Sequence, residues 1–151
     1  MGLWDSVKNG VTGFASNLQA EVGRYKNAGF LDAVTAGCAL VAAADGEISQ
    51  AERTKMANFI RSNDALKVFD TTAVVTSFNK HADKMAFDVD IGRAEALAVI
   101  SRLKARPDEA RVLTAVCIAI GKADGDFDED EKKAVRSICT ALDQKAGDFG
   151  L

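Results

Sequence analysis

This chain of 151 residues has one proline, one histidine, one tryptophan and one tyrosine. So little proline removes the commonest helix breaker, and aromatics beyond eight phenylalanines are too sparse to favour a sandwich or a parallel sheet. A single histidine, His81, excludes a histidine cluster. The three cysteines (Cys38, Cys117, Cys139) lack CxxC spacing and sit in apolar runs, which argues against a disulfide framework and for a reducing compartment. The longest apolar stretch, Val34 to Ala44, is too short and too rich in Ala and Gly to span a bilayer. The opening MGLWDSVKNG has neither a basic n-region nor an apolar h-region, so the expected location is the cytoplasm. A net charge of −3 and a pI of about 5.2 give no general affinity for nucleic acid.

What is present is a helix-forming composition, 48% hydrophobic and 27% charged, of a length that suits one all-α domain. Shifted by 79 positions, the chain aligns with itself: TAGCALVAAADGEISQAE (35–52) falls on TAVCIAIGKADGDFDEDE (114–131). Seven of those 18 positions are identical, among them Thr35/Thr114, Cys38/Cys117, Asp45/Asp124, Gly46/Gly125 and Glu52/Glu131. The expectation is a single domain of about seven helices built on two pseudo-symmetric helix–loop–helix repeats, with halves at about 30–62 and 109–142. In each copy the first helix is apolar almost all round and belongs at the buried centre. The second helix is amphipathic, with Met56, Phe59 and Ile60 on one side in the first copy and Val135, Ile138, Cys139 and Leu142 in the second.

Between the copies, Asp70 is a good N-cap for a helix over TTAVVTSFNKHAD, and another helix runs from about Ile91 to Lys104. The link SNDALKVFD has room for one helical turn, and Pro107 suits the first turn of the second buried helix. Residues 1–26 read as an amphipathic or flexible arm ahead of a helical domain over 27–151. Trp4, Val7, Val11, Phe14, Leu18 and Val22 form its stripe, weakened by glycines. Such an arm docks on a partner or a membrane surface, or rests on its own domain.

Six acids crowd Asp124 to Glu131, and most have an ordinary reason to be there. Ser49 with Glu52, and Asp128 with Glu131, have capping-box spacing, and acids in a first helical turn complement the dipole. Gly46 and Gly125 suit the left-handed end of a helix. Asp45 and Asp124 are different, because a carboxylate opposes the dipole at a helix C-terminus. Its partner is a lysine or arginine, a loop N–H, or a hard cation. An EF-hand is excluded: from either Asp the glycine falls second rather than sixth, and the twelfth residue is Met56 or Val135 instead of an acid.

The motifs EVGRYKN, ADGEISQAER, FIRSNDALKVFD, FDVDIG and KADGDFDEDEKKAVRSI, with the final DFGL, resemble the TerB family of bacterial tellurite-resistance proteins over residues 20–151. The resemblance implies an all-helical fold with two related halves and no established reaction. It also implies a role in tellurite resistance and wider stress responses beside other proteins of that system, some membrane-bound. The family's paired acidic loops imply a divalent-cation site (Ca, Mg or Zn) at Asp45, Glu52, Asp124 and Glu131; Glu47 and Asp126, immediately after the glycines, are weaker candidates by position. A related domain occurs in membrane-anchored co-chaperones, but their His-Pro-Asp tripeptide is absent, and HAD at 81–83 does not replace it.

His81 reads as a surface or boundary residue, and Cys38 and Cys117 as core packing. The acids Asp88, Asp90 and Glu95 suit a helix start, while Arg102, Lys104, Arg106 and Arg111 make a basic face suited to an adaptor surface. The leading expectation is a non-enzymatic cytoplasmic protein acting by protein–protein contacts, with a cation at the ADG loops. The rivals are an enzyme acting on oxyanions or phosphate esters through the carboxylates, and a membrane-surface adaptor, peripheral to the inner membrane, using the arm.

Overall fold

A computed structural model of the chain describes residues 14–123, 125 and 127–151. The described residues form seven α-helices, two 3-10 turns and no strand. The helices are α1 (Phe14–Arg24), α2 (Ala28–Ala42), α3 (Gln50–Ser62), α4 (Thr71–Phe87), α5 (Val89–Ser101), α6 (Pro107–Gly121) and α7 (Glu129–Ala141). The 3-10 turns are Asp64–Val68, inside the expected SNDALKVFD link, and Ala146–Phe149. No described helix is long and apolar enough to cross a membrane.

The starts of these helices follow from single side chains. Asn27, Ser49, Asp70, Asp88 and Asp128 are extended N-cap residues, and each accepts a hydrogen bond from the N–H three residues on. α4 runs on to Phe87, past the expected end, because the next cap, Asp88, is what terminates it and starts α5. That cap also places the start of α5 two residues ahead of Ile91, and turns replace its last expected residues, so the helix ends at Ser101. Pro107 occupies the first turn of α6, where a missing N–H leaves no bond unmade.

α2 and α6 are the centre. From Ala33 to Ala42 every α2 residue is buried, and in α6 only Ala119 interrupts the buried run from Val112 to Gly121. They pack on each other, and α4 and α5 cover the rest of α2, with α7 also against it. Burying an apolar side chain here contributes roughly 1.5–3 kcal/mol each, which makes this pair the main source of stability. Gly37 permits the close approach: a Cβ there would lie 2.4 Å from Cys117 Sγ. Gly92 plays the same part between α5 and α4, where a Cβ would meet the Met85 backbone at 2.6 Å.

α1 lies within the stretch read as an arm. Leu18 and Val22 are buried, and the helix packs on the first 3-10 turn and on α6. Trp4, Val7 and Val11 of the stripe lie outside the described residues.

His81 corrects an expectation: it is 2% exposed, on the α4 face toward α2. Its Nε2 is 2.7 Å from Asp32 Oδ1, which also accepts from Lys80 Nζ at 2.8 Å. Asp83, the nearer acid in sequence, instead pairs with Arg53. Residues two apart on a helix point to different faces, so Asp83 is out of reach of the buried imidazole. Burial lowers the His81 pKa below its ordinary 6.5, and Asp32 only partly offsets this. Burial pushes the Asp32 carboxyl up, but Lys80 and His81 more than cancel that and hold it below the ordinary range.

Gly37→Ala should destabilise the protein by about 1–3 kcal/mol in urea unfolding, with part of the loss recovered when Cys117→Ala is added. Gly23→Ala, with nothing within 4 Å of the new methyl, should be neutral or stabilising. For pH, a His81 pKa depressed in the fold means that the unfolded chain binds its proton first. Stability should therefore fall as pH drops below about 6.5, and further below about 3.8 as Asp32 takes a proton. In His81→Asn the first decline should be absent, and an unchanged slope between roughly pH 7 and 5 would refute the assignment.

Candidate metal centre

Each central helix ends in a turn, then a glycine, then a capped helix. α2 stops at Ala42 with Ala43 as its cap residue, and the Gly46 N–H closes a turn onto the Ala43 carbonyl at 3.0 Å. In the second unit Gly125 N–H reaches Lys122 O, also at 3.0 Å. Both glycines have the left-handed φ their role requires, 102° and 81°. They close the turn after the helix instead of capping the helix itself, so Asp45 stands beyond the last helical carbonyls and opposes the dipole less than its sequence position implies.

Asp45 has a loop N–H as partner: its Oδ1 accepts from the Glu47 N–H at 3.3 Å. Glu52 takes the Ser49 hydroxyl on Oε1 at 2.9 Å, while the Glu52 N–H donates to Ser49 Oγ at 3.1 Å. This departs from the expected capping box, in which the acid reaches back to the cap's own N–H. Each carboxylate keeps a second oxygen for another partner. Oxygens of Asp45, Glu47 and Glu52 come within 4.8 Å of one another. In the second loop Asp128 Oδ1 accepts the Glu131 N–H at 2.8 Å. Asp124 and Asp126, the other predicted ligands, lie outside the described residues.

The tertiary structure joins what the sequence separates. A cleft of about 240 Å³ lies between the two units, walled by the ends of α2 and α6. Asp45 and Glu52 line it from one side, and Asp128, Asp130 and Glu131 from the other. Phe127 packs on Gly121, where a Cβ would sit 2.8 Å from its ring, so that contact sets how closely the second loop folds over α6. Glu131 is drawn against the same glycine, its Oε2 3.6 Å from the position a Cβ would take.

Two basic residues were not singled out from the sequence. Arg93, inside the FDVDIGRAE stretch, donates from Nη2 to the Ala43 carbonyl at 2.7 Å and reaches Ala44 O at 3.4 Å. It thereby satisfies carbonyls at the end of α2, next to Asp45. Lys55 lines the cleft with its Nζ 5.9 Å from the centre of the Phe59 ring. No local signal marks Arg93, because its partners are 49 and 50 residues away. Lys55 follows Glu52 by three positions, a helical spacing that placed it on the same face.

The carboxylate set is all oxygen, which suits a hard cation and not a soft one. The first-loop oxygens lie close enough together for one such ion to reach all three residues. The thiols offer nothing to this site. Cys38, Cys117 and Cys139 are buried in the core. Contact with the Cys117 thiol and burial hold Cys38 well above its ordinary range, and burial pushes Cys139 up to about 11.

Fold and site together define a helical domain whose two helix–loop–helix units turn their acidic loops into one cleft. The family model described as "Tellurite resistance protein TerB" matches residues 31–151, and the chain belongs to that family. It is similar to a tellurium resistance protein TerB of Alcaligenes sp, at 40% identity over 118 residues, covering 78% of this chain and 97% of that protein. No solved structure matches it.

The caps give a direct test. In metal-free buffer Asp128→Ala should cost about 1 kcal/mol in urea unfolding, as loss of an N-cap does. Asp45→Asn keeps an acceptor for the Glu47 N–H and should change stability by less than about 0.5 kcal/mol.

Proposed function

We propose that this chain serves tellurite resistance as a non-catalytic component that binds a hard divalent cation in the acidic cleft and works through contacts with other proteins of the system. The family and the name of its Alcaligenes relative support the resistance role. The single observation behind the cation is the convergence of carboxylates from both loops in one cleft, with three of them close enough to share an ion. Asp45, Glu47 and Glu52 would hold it, with Asp128, Asp130 and Glu131 facing them across the cleft. A bound cation would relieve the repulsion among these acids and draw the two loops together. That changes the surface the cleft offers a partner.

A non-catalytic role is supported by where the reactive groups lie. His81 is committed to Asp32 inside the fold, and the described thiols are buried with raised pKa values. The cytoplasm, and partners among other resistance proteins, are part of the same proposal.

Calcium, magnesium and zinc, titrated separately against the labelled protein, test the reading. Calcium should shift the Gly46 and Gly125 amides saturably and raise thermal stability, by about 2.7 kcal/mol at a hundredfold excess over Kd. Asp45→Asn with Glu52→Gln should abolish both effects. No shift at about 10 mM calcium or magnesium, a Kd too weak to matter, would sink the cation. Shifts that persist in the double variant would move the ion elsewhere.

A further inference from the structure

The face that α3 turns to the acidic cleft is not purely negative. Glu52, Lys55, Met56 and Phe59 follow one another on that helix at spacings that share a face, and all four line the cleft. Lys55 is the one base among the described residues that line it. Against it stand Asp45 and Glu52 on one side and Asp128, Asp130 and Glu131 on the other. Its Nζ lies 5.9 Å from the centre of the Phe59 ring, at the outer range of a cation–π contact, so the ring and the carboxylates favour a positive group at the same place.

The neighbouring bases are engaged elsewhere. Arg53 bonds Asn79 and pairs with Asp83 on α4. Arg93 sits on the Ala43 carbonyl, and Lys132 and Arg136 both pair with Glu129. The charge balance inside the cleft therefore falls to Lys55. Carboxylates that converge in one cleft repel one another, and an ammonium tethered among them relieves that repulsion.

We infer that the Lys55 ammonium is the resident counter-ion of the acidic cleft: it offsets the acidic walls in the ion-free protein, and a divalent cation displaces it. The displacement rests on the cation reading of the cleft, whereas the counter-ion role does not. A tethered ammonium acts at an effective concentration on the order of millimolar, so an incoming ion must outcompete it. A monovalent ion brings no more charge than the ammonium already supplies. A divalent ion brings twice as much and bonds the carboxylate oxygens directly. Lys55 thus sets the concentration at which the cleft loads and weights it toward divalent ions. The coupling is reciprocal, so whatever Lys55 adds to the stability of the empty protein is subtracted from its affinity for the ion.

The test compares the full chain with Lys55→Met, which keeps an apolar stem beside Phe59 and removes the charge at an exposed position. Lys133→Met is the control, because Lys133 is an exposed base on α7 that lines a neighbouring cavity and not this cleft. In metal-free, low-salt buffer Lys55→Met should unfold at lower urea than the parent. That gap should close at about 0.5 M KCl, where screening is strong. Calcium, followed at the Gly46 amide, should bind Lys55→Met about fivefold more tightly than the parent, and Lys133→Met should change by less than about twofold. Equal urea midpoints in low salt overturn the counter-ion. Calcium binding to Lys55→Met no tighter than to the parent overturns the displacement, as does an equal gain in Lys133→Met. A parent that takes up no calcium at about 10 mM refutes the cation reading and the displacement with it, while the low-salt midpoints still decide the counter-ion.

Discussion

The close approach of α2 and α6 is the constraint on which the rest of the structure depends. Neither helix has a polar face, so neither is stable until it is covered on every side. Gly37 lets the Cys117 thiol come against the α2 backbone, and the remaining helices then wrap the pair. Because residues from the C-terminal turns of both helices wall the cleft, the two helices end at the same side of the molecule. The two acidic loops are neighbours for that reason. A packing requirement in the core thus becomes a charge arrangement at the surface.

That arrangement is tolerated because the acids are engaged one by one. Asp128 and Glu52 are tied into N-terminal turns, where negative charge is favourable. Asp45 accepts from the loop, and Arg93 places a guanidinium on the carbonyls beside it. Lys55 brings one positive charge into the cleft itself. Five carboxylates against one ammonium still leave the cleft strongly negative. Capping does not compete with the proposed cation, because a cap uses one oxygen of a carboxylate and leaves the other.

The groups that usually carry chemistry serve the fold instead. His81 and Asp32 form a polar link between α4 and α2, joined by the Thr35–Ser77 hydroxyl pair at 2.6 Å. Buried polar groups with this degree of satisfaction fix helix register. The thiols fill space between helices, and their raised pKa values keep them protonated. The histidine and the described thiols are thus committed to packing and register inside the fold.

Local rules made much of this legible in advance. The caps at Ser49, Asp70 and Asp128, the all-round apolarity of α2 and α6, Pro107 and the positive φ of Gly46 and Gly125 each depend on residues a few positions apart, so the sequence alone determined them. It also determined the family, since the motifs lie in series along one chain. The tertiary structure alone decided that acids some 80 positions apart share a cleft, that His81 turns inward to Asp32 and that Arg93 supports the first loop. Each of these is a contact between helices distant in sequence. A periodic pattern says which face of a helix is buried, but the crossing of two helices says what that face meets.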